Sequence, residues 1–209
     1  MSEIRSLAGD VDDSLAAAAK MLESGELVVF PTDTVYGLGA DAFNAQATAR
    51  IFTVKNRARS LPLPVLVARP RQAWALCGEV PSAAQDLVAA FWPGALTLIL
   101  PQAEGLAWDL GETRGGVAIR MPAHDDLLEL IMLIGPIAAT SANPSGSPTA
   151  GTVHEIAAQL GDAVSLYLDG GPSGSDVPST IVDLTRRRPK VVREGAISAA
   201  EIDRALHRP

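Results

Sequence analysis

Apolar and polar positions along the chain follow two periods, and these predict a succession of helices and strands. The clearest helix is 12–24, where acidic residues precede an alanine-rich body and Gly25 follows. Further helices are predicted at 45–54, 82–91, 125–133, 152–160 and 198–206. Short apolar runs predict strands at 26–31, 63–68, 95–100, 116–121, 136–140, 164–169, 180–184 and 191–192.

Several of the predicted strands follow one another too closely to be joined by a crossover helix, which parallel neighbours require. The pattern therefore favours a mixed sheet over a fully parallel one. We expect an α/β protein of the α+β type, a twisted mixed β-sheet flanked by helices, in a single domain over 1–209. The segment after the first predicted strand contains Gly37 and Gly39 and is predicted as a turn.

Composition narrows the class of protein. With 47% hydrophobic and 20% charged residues the chain is expected to be globular, and no apolar run approaches a membrane span. The polar, acidic residues 1–13 do not resemble a secretory signal. Cys77 is the single cysteine, which excludes an internal disulfide and a multi-cysteine metal site. We expect a cytoplasmic protein without a membrane partner.

Charge and histidine placement exclude further classes. The formal net charge of −7 disfavours nucleic-acid binding through bulk electrostatics. His124, His154 and His207 are scattered and form no HxxxH or HExxH spacing, so a histidine metal site or a Ser-His-Asp triad has little support. Surface or capping positions explain all three.

Polar segments rich in Gly, Ser and Thr follow several predicted strands, where open α/β sheets place ligand sites. The segment 31–39 offers the hydroxyls of Thr32, Thr34 and Tyr36, although an ordinary strand-to-loop turn explains it as well. The segment 140–146 has small hydroxyl and amide side chains that suit a phosphate or a purine edge, or a simple Ser/Asn turn.

Three cations, Lys55, Arg57 and Arg59, stand within five residues at the end of a predicted helix. They are favourably placed beside the helix dipole, and guanidinium forks also match phosphate oxygens. Because the chain has only three lysines and is acidic overall, the cluster favours a polyphosphate clamp. Arg120, Ser179–Thr180 and Arg193 lie at the ends of other strands and would each pass as surface residues alone.

The order of these pieces resembles one known family. The ordered motifs are PTDTVYGLG, KNR, FWPGALT, RMP, SANPSG, STIVDL and VVREG. Together they are similar to the threonylcarbamoyl-AMP synthases of the TsaC/YrdC family, in the short form without an extra C-terminal domain. The resemblance covers about residues 25–195 and implies a YrdC-like fold.

The resemblance implies a reaction. The amine of L-threonine takes up bicarbonate or CO2, the carbamate attacks the α-phosphorus of ATP, and pyrophosphate leaves. The product serves tRNA threonylcarbamoyladenosine modification by way of a transferase complex, and direct tRNA contact stays open. Mg²⁺ is expected on the ATP phosphates with few or no protein ligands.

The resemblance also implies residue roles. Lys55 and Arg57 are expected to be catalytic, because they would stabilise the leaving pyrophosphate. The expected ATP-binding residues are Lys55, Arg57, Ser141, Asn143 and Arg193. The expected threonine-binding residues are Thr32, Arg120, Thr140 and Ser179, and Tyr36 is expected to contact substrate. The chain departs from the family pattern at Ala58, Leu61 and Leu66, the last standing where many members have a histidine.

Two other functions compete with this interpretation. A double-stranded RNA or tRNA-binding module would need a broad basic face, whereas the chain has 17 cations against 24 acids, and the run 186–188 suits a solvated hairpin turn. The carbamoyl-transfer domain of hydrogenase maturation proteins is accompanied by cysteine-rich zinc fingers, which one cysteine cannot form.

Overall fold

The computed structural model describes residues 2–175 and 177–207, which form one ten-stranded sheet and seven α-helices. The strands are β1 (Glu3–Ser6), β2 (Val28–Phe30), β3 (Gly37–Asp41), β4 (Val65–Leu66), β5 (Leu96–Pro101), β6 (Gly116–Arg120), β7 (Ile137–Ser141), β8 (Leu166–Asp169), β9 (Thr180–Asp183) and β10 (Lys190–Arg193). The helices are α1 (Val11–Glu23), α2 (Ala45–Lys55), α3 (Pro70–Ala75), α4 (Ser82–Phe91), α5 (Asp125–Ile134), α6 (Val153–Leu160) and α7 (Ala199–Leu206).

The sheet is mixed, as the sequence predicts. Its order is β1-β8-β2-β3-β7-β4-β6-β5-β9-β10. The pairs β1·β8, β2·β8, β4·β6 and β5·β9 are parallel, and the other five pairs are antiparallel. Every predicted helix and strand is present within a few residues of its expected bounds, while β1, β3 and α3 were not predicted.

The prediction of a turn at Gly37 and Gly39 is wrong, because both residues lie in β3. A Cβ added at either position would stand 2.7 Å from the ring of Phe30 on the paired strand. The glycines therefore make room for an aromatic ring that crosses the strand. Their backbone closely approaches a side chain of the core.

Two apolar clusters pack on opposite faces of the sheet. The larger cluster joins helices α2, α3, α4, α6 and α7 to alternate strand residues such as Leu38, Val65 and Leu98. The smaller cluster joins α1 and α5 to strands β2, β4, β7 and β8. Fully buried leucines such as Leu22 and Leu130 contribute about 1.5–3 kcal/mol each in this arrangement.

Half of the second face carries no helix. None of the described residues of β5, β6, β9 and β10 belongs to the smaller cluster, and their buried apolar side chains all point into the larger one. The residues that alternate with them, such as Ile99, Ala118 and Ile181, remain partly exposed. The uncovered face of β5, β6, β9 and β10 thus forms the floor of an open cleft at one end of the sheet.

The run Arg186 to Arg188 lies on the turn between β9 and β10, as the hairpin interpretation predicts. Arg186 pairs with Asp183 at 3.0 Å, and the turn is exposed. In the part of the chain that the structure describes, no helix has the length and apolar character to cross a membrane.

Candidate active site

Cross-strand register places several predicted site residues side by side on the open half of the sheet. Arg120 of β6 is paired with Thr97 of β5, Thr97 with Ile181 of β9, and Ile181 with Arg193 of β10. Paired residues face the same side of a sheet and adjacent strands are about 4.8 Å apart. Arg120 and Arg193 therefore share one face about 14 Å apart, measured across three strand intervals.

Arg120 lies at the inner end of this row and is 7% exposed. Its guanidinium donates to Gly94 O at 3.0 Å, to Thr34 Oγ1 at 2.9 Å and to Asp33 Oδ1 at 2.7 Å. Burial lowers the pKa of Arg120, and the carboxylate of Asp33 opposes that shift. An arginine has five N–H donors, so one on each terminal nitrogen remains for a ligand.

The segment 32–36 is held by its own hydroxyl groups. Thr32 Oγ1 donates to Val35 O at 2.7 Å and accepts from Thr34 N at 3.0 Å. Ser173 Oγ donates to Thr34 O at 2.8 Å, which attaches the 171–175 loop to this segment. Thr32 thus lies next to the Arg120 contacts with its proton directed into the loop, and its role as a threonine ligand stays a prediction.

Tyr36 is buried in the larger core cluster with 2% exposure. Its hydroxyl donates to Gly171 O at 2.6 Å and accepts from Gly170 N at 3.1 Å. The expected contact between Tyr36 and a substrate stays a prediction, since both hydrogen bonds of its hydroxyl go to the 170–171 loop. Tyr36 fixes the 170–171 loop below the cleft.

Lys55 is the last residue of α2 and is 2% exposed. Its Nζ donates to the carbonyl oxygens of Ser141 and Asn143, and Asn143 Oδ1 lies 3.3 Å away. Burial, aided by the charge of Arg57, lowers the pKa of Lys55 to about 8. Among residues 2–175 and 177–207 no carboxylate pairs with Lys55, so its charge is balanced only by the oxygens of Ser141 and Asn143.

The segment 140–146 is shaped around that ammonium. Asn143 is buried, and its Nδ2 donates to Ser147 O at 2.6 Å and to Pro144 O at 3.1 Å. Thr140 and Ser141, at the end of β7, are partly exposed, and their hydroxyls have no hydrogen-bond partner among the described residues. These two hydroxyls are available to a ligand.

Arg57 and Arg193 add two more positive charges between Lys55 and Arg120. Arg57 donates to Leu61 O at 2.7 Å and to Pro62 O at 3.1 Å. Burial lowers the pKa of Arg57 and the charge of Arg193 adds to that effect; the pKa of Arg193 is lowered by burial and then by Arg120. Lys55, Arg57, Arg193 and Arg120 therefore form a continuous cationic cluster.

Arg59 does not belong to this cluster, although the sequence groups it with Lys55 and Arg57. Its guanidinium pairs with Asp109 and lies 4.9 Å above the ring of Phe52. This acidic protein thus brings four cations together, Lys55, Arg57, Arg120 and Arg193. In the described structure one carboxylate, Asp33, pairs with one of them, Arg120. Such a cluster suits a polyanionic ligand.

Ser179 lies between the two arginines of the row and is 6% exposed. Arg193 donates through Nε and Nη2 to Ser179 O at 3.1 and 2.7 Å, and through Nη2 to Ser179 Oγ at 3.1 Å. A Cβ at Gly195 would stand 2.1 Å from Pro178 O, so glycine is required for the chain after Arg193 to approach Ser179 this closely.

The sequence motifs do not single out Asp33 or Thr97, yet both lie at the site. Asp33 is the partner of Arg120, and Thr97 Oγ1 is 2.8 Å from Ser179 Oγ. A polar residue inside the apolar run ALTLIL was a usable signal for Thr97. Leu66, where a family histidine was expected, is buried beside Arg120 on β4 and offers no polar contact.

The described residues hold no group of three or more His, Cys, Asp or Glu that could bind a metal ion. Asp33, the carboxylate at the cationic cluster, is already paired with Arg120.

Comparisons with known proteins identify the family and the fold of the chain. The Sua5, YciO and YrdC family model, described as "Telomere recombination", matches residues 20–195. A Mycobacterium leprae protein named as a candidate threonylcarbamoyl-AMP synthase is 46% identical over 192 residues, covering 92% of this chain and 87% of the relative. The threonylcarbamoyl-AMP synthase of Pseudomonas fluorescens is 34% identical over 167 residues, covering 80% of this chain and 90% of the relative.

Among solved structures, Pyrococcus abyssi Sua5 complexed with L-threonine superimposes with a TM-score of 0.92 at 38% identity. The match covers 99% of this chain and 61% of that one. The mixed ten-stranded sheet with its helices is thus a YrdC-like fold.

Proposed function

Because the chain belongs to the YrdC/Sua5 family of threonylcarbamoyl-AMP synthases, which are nucleotidyltransferases acting in tRNA threonylcarbamoyladenosine modification, we propose that its open cleft joins L-threonine, bicarbonate or CO2, and ATP. The threonine amine adds to CO2 with loss of a proton, or takes the carboxyl group of bicarbonate with loss of water, and becomes a carbamate. A carbamate oxygen bonds to the α-phosphorus, and the bond to the β-phosphate oxygen breaks to release pyrophosphate. The observation that carries the proposal is the cationic cluster beside the free hydroxyls of β7.

Threonine is assigned to the inner end of the row. Arg120 keeps two N–H donors after its three internal bonds, and a carboxylate can accept both as a bidentate partner. Ser179 supplies a further hydroxyl on this face, and Thr32 lies beside Arg120 through Thr34. Thr140, the register partner of Leu38, is assigned to threonine by the family resemblance and by its unpaired hydroxyl at the end of β7. The related Sua5 of P. abyssi, which forms a complex with L-threonine, supports this ligand.

The triphosphate of ATP is assigned to the other cations. Arg57 and Arg193 are near enough to lower the pKa of the neighbouring cation, and an anion between them relieves that repulsion. Lys55 holds the 141–143 loop through two carbonyls, so it both shapes the loop and supplies charge. Ser141 Oγ and the Asn143 segment are then in place to contact the phosphates.

Catalysis in this scheme needs no nucleophile from the protein. The cluster gathers two anions, the carbamate and the α-phosphate, and stabilises the charge that grows on pyrophosphate as it leaves. Mg²⁺ enters as part of the MgATP substrate. Direct contact with tRNA and transfer of the product to a threonylcarbamoyl transferase complex are further parts of the proposal.

The test is incubation of the protein with ATP, bicarbonate and L-threonine while pyrophosphate is measured. We expect release that requires all three, with threonylcarbamoyl-AMP as the second product by mass spectrometry. Pyrophosphate release that does not depend on threonine would contradict the assignment. Salt-sensitive RNA binding in a protein that releases no pyrophosphate would favour an RNA-binding module.

A further inference from the structure

Two buried hydroxyls meet beneath the row of arginines. Thr97 Oγ1 and Ser179 Oγ are 2.8 Å apart, and the residues are 3% and 6% exposed. In the part of the chain that the structure describes, Ser179 Oγ is the single hydrogen-bond partner of Thr97 Oγ1. Ser179 Oγ has a second partner, because Arg193 Nη2 donates to it at 3.1 Å.

The surroundings decide which hydroxyl donates. Each hydroxyl has one proton and two lone pairs. If Ser179 donated to Thr97, the proton of Thr97 would be left in the interior without an acceptor, and an unsatisfied buried donor is costly. If Thr97 donates to Ser179, its proton is satisfied, and the proton of Ser179 can find an acceptor in the adjoining cleft.

This direction determines what Ser179 offers a ligand. Its oxygen accepts from Thr97 and from Arg193, so both lone pairs are used and only the proton is left. Thr97 is also the register partner of Arg120, which places the free proton near the unused guanidinium donors. Asp33 Oδ1, Thr34 Oγ1 and Gly94 O already accept from Arg120, so the groups left over for a ligand, two guanidinium N–H and the Ser179 proton, are all donors, which suits a carboxylate.

We propose that Thr97 is a positioning residue that fixes Ser179 as a hydrogen-bond donor to the carboxylate of the amino acid substrate. The proposal rests on the proposed function, since it takes L-threonine as the ligand of this end of the cleft. Thr97 acts through Ser179 and makes no direct contact with L-threonine or ATP.

The experiment measures the dissociation constant of L-threonine by titration calorimetry, without ATP. Thr97→Val keeps the shape of the side chain and removes the donor, so we expect the constant to rise about 2- to 12-fold, the loss of one hydrogen bond. Thr97→Ser restores the donor and should return the constant to within about twofold. The matched control is Thr48→Val, a buried hydroxyl on α2 that donates to Ala45 O away from the cleft.

A double-mutant cycle with Ser179→Ala separates positioning from packing. We expect Thr97→Val to have no further effect on threonine binding once Ser179 is alanine, because its route to the ligand is gone. An equal loss in both backgrounds, or an unchanged constant in the single variant, would overturn the proposal. If Thr97→Val fails to fold, Thr97→Ala enters the same cycle.

The wild-type measurements keep this inference apart from the proposed reaction. Failure of the wild-type protein to bind L-threonine would overturn both. Threonine binding without pyrophosphate release would overturn the reaction alone, and the cycle at Thr97 would still decide the inference.

Discussion

Arg120 donates to Asp33 Oδ1 at 2.7 Å, and the two side chains are 9% and 15% exposed, so the ion pair is largely shielded from water. The Asp33 carboxylate therefore lies on the same guanidinium that is proposed to bind the carboxylate of threonine. Asp33 holds the guanidinium in one orientation, and that orientation decides where its remaining donors point.

We expect Arg120→Lys to raise the apparent constant for L-threonine about 10- to 150-fold with little change for ATP, because lysine keeps the charge and loses the planar fork. Each constant is measured with the other substrate saturating. Arg50→Lys is the control, since Arg50 pairs with Glu26 away from the cleft. A larger effect on ATP than on threonine would show that Arg120 belongs to the nucleotide.

Arg193 is expected to behave differently from Arg120. The family resemblance assigns Arg193 to the nucleotide, but its guanidinium donates to both oxygens of Ser179. We therefore expect Arg193→Ala to raise the apparent constants for ATP and for L-threonine together. A change confined to ATP would mean that the contacts with Ser179 do not matter for threonine.

Lys55 and Arg57 are expected to carry the response to ATP. Loss of one charge-assisted contact, about 1.5–3 kcal/mol, should lower kcat/KM for ATP roughly 10- to 150-fold in Lys55→Ala and in Arg57→Ala. The matched control is Arg59→Ala, because Arg59 pairs with Asp109 and points away from the cluster. Near wild-type kinetics in both Lys55→Ala and Arg57→Ala would show that these cations only stabilise the end of the helix and do not bind ATP.

The pKa of Lys55, lowered to about 8, predicts two opposite effects of pH. Above pH 8 the ammonium loses its proton, so ATP should bind more weakly as pH rises from 7 to 9.5. Between pH 8 and the higher pKa of the unfolded chain, the unfolded state binds more protons, so the contribution of Lys55 to the free energy of unfolding should increase with pH.

Calorimetry of ATP binding and urea unfolding across this range would measure both effects. The comparison variant is Lys55→Met, whose ATP affinity and stability should change less over the same interval. Parallel pH dependence in the wild-type protein and Lys55→Met would contradict the assignment to Lys55.

Substrate choice tests the hydroxyls of the cleft. Valine has nearly the shape of threonine but cannot hydrogen-bond to Thr140 or Thr32. A site built to bind a hydroxyl should disfavour valine by more than the roughly 10- to 200-fold that a single methylene gives. Pyrophosphate release is compared for the two amino acids under identical conditions, and comparable rates would remove Thr32 and Thr140 from the threonine site.

The sequence predicts most elements of this fold because their periodicity is strong, as in α1 and β5. It fails at β3, where Gly37 and Gly39 suggest a turn, because the reason for glycine is the ring of Phe30 on another strand. That contact depends on pairing across the sheet, and local propensity does not contain it.

The same limit applies to the site. Motif order predicts the cationic cluster with its proposed ligand groups, but not the direction of each side chain. The hydroxyl of Tyr36 hydrogen-bonds to the 170–171 loop, which the sequence does not predict, and Asp33, which was not singled out, lies against Arg120. Such outcomes depend on which partners three-dimensional packing brings within reach.

The row from Arg120 to Arg193 draws on residues 96–120 and 180–193, and it exists only after strands distant in the chain have paired. Long-range pairing of this kind forms late and slowly during folding. Ligand affinity at the cleft should therefore serve as a reporter of completed assembly. In a refolding experiment, threonine binding is expected to recover after secondary structure does, and a bound ligand should protect β10, at the edge of the sheet, from local opening.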